Sequence, residues 1–141
     1  MNSVYVHVLT PVLAAGLVNA LSFSRKLPIT KYKNPWIPPG PIVGLVWLVL
    51  LGLLGYVHFK LYKKSGVSVA TVTIVVFILY CLAYPSLTSF YADSKAPTFL
   101  NVVALGSALL VTLRVFAQDS SLVPYLVPLL AWTTYVNIVT I

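Results

Sequence analysis

The charged residues of this chain leave five long stretches with no charge at all. Of its 141 residues, nine are Lys or Arg and two are Asp or Glu, a charged fraction of 8% against about 25% in soluble domains. A helix needs about 20 apolar residues to cross a bilayer. The sequence therefore predicts an all-α integral membrane bundle of five transmembrane helices. The uncharged stretches are 1–24, 34–59, 65–92, 96–113 and 120–141.

A single membrane domain over 1–141 accounts for the whole chain. The connection at 24–40 is the longest polar segment, and Pro38 and Pro39 within it cannot continue a regular helix. Pro41 suits the first turn of a helix, because the N–H groups of that turn have no partner within the helix and a proline there loses no hydrogen bond. The predicted helices cover approximately 4–23, 41–61, 67–91, 97–117 and 121–141.

The basic residues stand at the ends of the apolar runs, as juxtamembrane anchors do. This placement argues against a nucleic-acid partner, which would need a basic face on a soluble surface. It makes the lipid bilayer the first predicted partner. The four cations at one end and the five at the other favour neither orientation. They are Lys60, Lys63, Lys64 and Arg114, against Arg25, Lys26, Lys31, Lys33 and Lys95.

Few residues offer acid–base or metal chemistry. Asp93 and Asp119 both fall in predicted turns. His7 and His58 are interpreted as separate interfacial residues, because a zinc site needs three or four clustered ligands. Cys81 is the single cysteine, so no intrachain disulfide forms. The sequence therefore predicts no catalytic residue and no metal site, and it favours binding over catalysis.

Polar and small residues do occur inside the apolar runs. The asparagines within these runs form hydrogen bonds either to another helix or to a ligand, and the sequence leaves both interpretations open. Gly52 and Gly55 permit close approach of another backbone, from a neighbouring helix or from a second copy of the chain. The polar and aromatic residues in question are Trp47, Trp132, Asn19, Asn101 and Asn137.

One spacing of tryptophan and proline is more specific. Lys33-Asn-Pro-Trp36-Ile-Pro38-Pro39 is followed by Val46-Trp47 and then by Gly55-Tyr56. A second stretch reads Val127-Pro128-Leu-Leu-Ala131-Trp132, with Tyr135 three residues later. Together they resemble the translocator protein family, also called tryptophan-rich sensory proteins, TspO/MBR or peripheral benzodiazepine receptor-like proteins.

Two departures from that family's pattern concern the ligand. Tyr84-Pro85 stands where the family usually has the second tryptophan of its third helix and the residue after it, and the family's asparagine and phenylalanine pair are missing there. No Lys or Arg follows Arg114, so the C-terminal cholesterol-type motif is absent.

The resemblance implies a pocket between helices one, two, three and five, covered by the 24–40 loop as a lid. Its implied ligands are porphyrins, including haem, and in animals sterols and benzodiazepine-type drugs, with no required cofactor. It implies a multi-pass protein of an organelle membrane, such as the mitochondrial outer membrane, or of a bacterial envelope, and a homodimer as a further partner. The implied ligand-binding residues are Asn19, Trp36, Pro38, Pro39, Trp47, Tyr84, Trp132 and Tyr135.

Three functions are compatible with these residues and with the resemblance. The first is a receptor or transporter-like protein that binds a flat hydrophobic ligand inside the bundle. The second is an enzyme that degrades porphyrin by photo-oxidation, with tryptophans as electron partners. The third is a membrane assembly protein without a small-molecule ligand.

Overall fold

The described residues form five helices long and apolar enough to cross a membrane, as the sequence predicts. The computed structural model describes residues 3–26, 34–91 and 94–141, and these contain no strand. A 3-10 helix, Ser120–Leu126, leads directly into the last α-helix. The α-helices are α1 (Val4–Ser24), α2 (Gly40–Ser65), α3 (Val69–Phe90), α4 (Ala96–Gln118) and α5 (Val127–Thr140).

The second helix is longer than predicted. It runs to Ser65 rather than 61, so Lys63 and Lys64 form its last turn instead of a loop. Cations suit that position because the carbonyl end of a helix carries partial negative charge. Gly66 then ends the helix with a φ of 64°, and its N–H donates to Tyr62 O at 2.7 Å.

The fifth span differs from a simple helix over 121–141. Proline has no N–H, so Pro124 and Pro128 interrupt the i to i−4 hydrogen bonds of an α-helix. The segment Ser120–Leu126 therefore adopts 3-10 geometry. Pro128 lies in the first turn of α5, where it needs no donor.

Successive helices alternate in direction, which defines two ends of the bundle. The end that carries Ser24, Pro39 and Thr140 is called the lid end. The opposite end carries Val4, the α2–α3 turn and the 3-10 helix. The helix α1 packs against α2 and α3, and α4 packs against α3 and α5.

The close contact between α1 and α2 depends on glycine. A Cβ atom at Gly55 would lie 2.1 Å from the carbonyl oxygen of His7, so only glycine fits there. A Cβ at Gly52 would meet Val12 Cγ2 at 3.5 Å, an ordinary contact. The backbone that approaches this pair of glycines is therefore that of α1 in the same chain.

The tightest packing lies toward the opposite end. Several aliphatic side chains there have no exposed surface, among them Leu54, Val57, Leu61, Ile74, Val111 and Val115. The outward faces carry exposed apolar residues at helical spacing, such as Leu9, Leu13 and Leu17 of α1. Such faces are suited to lipid contact, because apolar residues there meet hydrocarbon rather than water. The protein is a multi-pass integral membrane protein.

Candidate functional site

Two small adjoining cavities lie in the half of the bundle nearer the lid end. The first has a volume of about 50 Å³ and lies among α1, α2 and α3, with Ala104 of α4. The second has a volume of about 60 Å³ and lies among α2, α3, α4 and α5. Trp47, Tyr84 and Ala104 line both cavities. These three side chains are therefore the shared wall of the candidate site.

Asn19 lines the first cavity from α1. Its amide lies against Gly44 of α2, where a Cβ atom would come within 3.2 Å of Asn19 Nδ2. Tyr80 and Cys81 line the same cavity from α3. The Tyr80 hydroxyl donates to Leu100 O of α4 at 2.6 Å. The first cavity thus combines aromatic rings with one amide.

Asn101 joins three helices beside the second cavity. Its Oδ1 accepts a hydrogen bond from the Tyr84 hydroxyl of α3. Its Nδ2 donates to Thr140 Oγ1 of α5 at 3.1 Å. Asn137 Nδ2 in turn donates to Asn101 O at 2.9 Å and to Thr133 O at 2.8 Å. Asn101 and Asn137 form interhelical hydrogen bonds and also line the cavity, so the two interpretations left open by the sequence are compatible.

The described part of the 24–40 connection, residues 34–39, is hydrogen-bonded to α5. Asn34 Nδ2 donates to Val139 O at 3.0 Å, and the Tyr135 hydroxyl donates to the Trp36 carbonyl. The Trp36 side chain is 75% exposed and lies outside both cavity linings. Pro38 and Pro39 likewise lie outside the linings, and Pro39 O accepts from Ile42 N at 3.0 Å at the start of α2.

Trp132 also lies outside both linings. Its ring is 5.9 Å from that of Tyr135, centroid to centroid, and packs on the hydrophobic core. Among the residues that the structure describes, its buried indole N–H has no hydrogen-bond partner. A buried indole donor normally finds one.

The structure therefore brings Asn19, Trp47 and Tyr84 together around the cavities and assigns Trp36 and Tyr135 to the lid contact. The other five predicted residues, Trp36, Pro38, Pro39, Trp132 and Tyr135, lie outside the cavity linings. The walls also include a helix that the expected pocket of helices one, two, three and five lacks. The helix α4 contributes Asn101 and Ala104 to the walls. The polar character of Asn101 within an apolar run is visible in the sequence, whereas nothing there distinguishes Ala104 from other small residues.

Polar contacts also lie at the opposite end. His7 Nδ1 and His58 Nδ1 are 2.8 Å apart, although the sequence alone indicates two separate interfacial histidines. Lys64 Nζ lies 3.1 Å from Asp119 Oδ2. Hydrogen bonds from the Ser121 hydroxyl and from Lys64 hold the pKa of Asp119 below its usual value.

Comparison with known proteins decides the family. A family model described as the TspO/MBR family matches residues 7–141. The chain belongs to the TspO/MBR family. The matched range of this TspO/MBR protein contains all eight ligand-binding residues predicted from the sequence. No curated protein matched the chain in a sequence comparison.

Proposed function

We propose that this TspO/MBR protein binds a porphyrin between its helices at the lid end. The observation that carries the proposal is the pair of cavities that share Trp47 and Tyr84. Apolar sites with a few placed polar groups are typical of small-molecule binding in proteins. Aromatic rings on the shared wall offer flat surfaces on which a flat macrocycle can stack.

The distribution of charge supports a ligand with an acidic edge. Arg25, Lys26 and Lys95 are exposed at the lid end, whereas the described residues that line the cavities include no charged side chain. A porphyrin has an apolar ring and carboxylate side chains, so its ring can lie inside while its carboxylates meet these cations. A sterol has no such acidic edge. We therefore expect porphyrins to bind more tightly than sterols or benzodiazepine-type compounds.

Binding requires the site to widen. A water molecule needs about 10–15 Å³ of cavity volume, so cavities of about 50 and 60 Å³ hold only a few waters. Pockets for drug-sized ligands measure about 300–1,000 Å³. The lid contacts of Asn34 and Tyr135 must therefore open, or the helices must separate, before a porphyrin enters between them.

A bulky substitution on the shared wall tests the proposal. Protoporphyrin is titrated into the detergent-solubilised chain while tryptophan fluorescence is followed. Ala104→Phe should weaken binding at least tenfold, because Ala104 lines both cavities. Val102→Phe adds the same ring to an exposed position of α4 and should leave binding within twofold. Equal affinity in both variants, or no quenching in the unaltered protein, would contradict the proposal.

The same samples separate the two alternative functions. Photo-oxidation would produce a new absorbance under illumination that disappears in Trp47→Phe. An assembly role, including formation of a homodimer, would leave thermal stability unchanged by porphyrins, sterols or lipids. A bound ligand at one hundred times its dissociation constant should instead stabilise the fold by about 2.7 kcal/mol.

A further inference from the structure

The two histidines of the chain are hydrogen-bonded to each other at the opposite end of the bundle. Their Nδ1 atoms are 2.8 Å apart, and the ring centroids are 5.0 Å apart. Each of these nitrogens therefore lies almost on the line between the ring centres and points at the other. A neutral imidazole has one nitrogen that donates and one that accepts, whereas both nitrogens of a protonated imidazole donate. The contact thus needs one proton between the two Nδ1 atoms, and two protons there would break it.

The paired arrangement is compatible with two charge states. When both rings are neutral, one Nδ1 donates and the other accepts. When the pair gains one proton, the charged ring donates to the neutral ring in a charge-assisted hydrogen bond, which is stronger. A second added proton would place two donors and two positive charges face to face. The paired rings therefore hold at most one added proton, whereas two separated imidazoles hold two.

The pair lies where α1 is otherwise weakly held. Only two residues of α1 are buried, Pro11 and Ala15, and both come after His7. Near the start of α1, the His7 backbone lies against Gly55 of α2. His58 lies three residues after Gly55, on the same face of α2, and there its ring meets that of His7. Loss of the hydrogen bond between the rings should therefore loosen the first turns of α1 from α2.

Among the described residues, those around the pair offer no free negative charge. The Tyr62 ring packs beside both imidazoles, with centroids 5.7 and 6.0 Å away. The helix α3 packs against α1 and α2, and its segment 69–79 contains no titratable side chain. The charged side chains of this end are cations, apart from one acid that is paired with a lysine at 3.1 Å. They are Lys60, Lys63, Lys64, Arg114 and the paired Asp119.

We propose that the His7–His58 pair makes the contact between α1 and α2 depend on pH. The contact is kept while the pair holds at most one added proton, and it opens when the second binds. Histidine is the side chain that ordinarily changes its charge between pH 5 and 8. Both rings are half-buried and lie near helix ends, so protons can reach them from the water.

The direction of the effect follows from the number of protons bound. Below about pH 6.5, the two separated imidazoles of the unfolded chain bind two protons, whereas the paired rings of the folded chain bind one. Stability falls with pH wherever the unfolded state binds more protons than the folded state. Acidification should therefore open this contact. It lies at the opposite end from the porphyrin cavities, so the inference does not depend on the proposed function.

The first test observes the hydrogen bond itself. The chain has only these two histidines, so histidine labelled with nitrogen-15, in the full chain with a histidine-free tag, reports on them alone. In detergent at about pH 7.5, NMR should detect a nitrogen–nitrogen coupling between the two Nδ1 atoms, and the coupling should disappear by about pH 5. Absence of the coupling at the higher pH, or its persistence at the lower, would overturn the proposal.

The second test measures Tm at the same two pH values. The unaltered chain should lose roughly 2–4 °C on acidification, which corresponds to the loss of one such contact in a protein of about this size. The double variant His7→Phe with His58→Phe keeps two packed rings but no shared proton, and it should lose less than half as much. Tyr62→Phe, which keeps the histidine pair, should lose as much as the unaltered chain. An equal loss in the double variant would contradict the proposal, and if that variant fails to fold, the NMR coupling in the unaltered chain decides.

Discussion

The carbonyl oxygen of His7 lies against the backbone of Gly55, so closely that a methyl group on Gly55 would be 2.1 Å from it. Within α1 this carbonyl would normally accept from the residue four positions on, but that residue is Pro11, which has no N–H. The glycine backbone of α2 takes the place of the missing donor. A Cα–H···O contact of this kind is a weak but recurrent feature of helix–helix interfaces.

Substitution of this glycine should loosen the bundle. Gly55→Ala forces α1 and α2 apart, because the new methyl group meets backbone atoms that cannot rotate away. Overpacking of this kind costs about 1–3 kcal/mol, which thermal unfolding in detergent would register as a lower Tm. Gly52→Ala is the matched control on the same helix, since its methyl group would meet only Val12 and Val8 side chains at 3.5 Å or more. An equal loss in both variants would contradict the argument.

The hydrogen bonds of Asn101 should contribute measurably to stability. Asn101→Ala removes the acceptor for Tyr84 and the donor to Thr140. Double-mutant cycles within membranes average about 0.6 kcal/mol for one such bond. We therefore expect a coupling energy of about 0.5–1 kcal/mol between Asn101→Ala and Thr140→Val in unfolding experiments. Additive effects of the two substitutions would show that this bond contributes nothing.

The lid should open more readily when its tether to α5 is removed. Tyr135→Phe deletes the hydroxyl that donates to the Trp36 carbonyl and keeps the aromatic ring. Loss of one hydrogen bond of about 1 kcal/mol should speed exchange of the backbone amides of Asn34, Trp36 and Ile37 about fivefold, as measured by hydrogen–deuterium exchange. Tyr125→Phe, at the opposite end, serves as control and should leave exchange of the lid unchanged.

Asp119 should make stability depend on pH in the acid range. Its pKa is lowered in the folded state, first by the Ser121 hydroxyl and then by Lys64. Its stabilising contribution is therefore fully present above the unfolded pKa of about 3.9 and disappears as pH falls through the lower folded value.

The measurement compares Tm between the unaltered chain and Asp119→Asn. The difference should be constant from pH 6 to 7 and should vanish in the most acidic samples. Ser121→Ala should reduce it more than Lys64→Gln does, because the hydroxyl is the larger cause of the shift. A difference that grows on acidification would contradict the assignment.

The architecture was predictable because the bilayer imposes it. Charge-free stretches of membrane-spanning length identify helices whatever their detailed packing, and all five are present. Helix ends were harder to predict, because they depend on local backbone geometry. The helix α2 continues to Ser65 and ends only at Gly66 with its positive φ, and Pro124 with Pro128 converted the start of the fifth span to a 3-10 helix.

The candidate site was predictable only in part. Trp47 and Tyr84 are large aromatic residues at specific spacings, and both line the cavities. Ala104 belongs to the site only because the folded helices place it in the lining of both cavities, and no pattern in one sequence reveals that position. The His7–His58 contact likewise joins residues 51 positions apart, and it arises from a glycine contact that only the three-dimensional arrangement displays.

The two ends of the bundle are packed differently, so the helices should move more easily at one end than at the other. Fully buried aliphatic side chains anchor the helices at one end, and the small cavities and hydrogen-bonded asparagines lie toward the other. A helix of about 20 residues is about 30 Å long. A tilt of about 5° around the anchored end would therefore move the free end by roughly 2.6 Å, which follows from that length. The helices can thus act as levers, so that a small rotation around the anchored end becomes a displacement of a few ångström at the lid end.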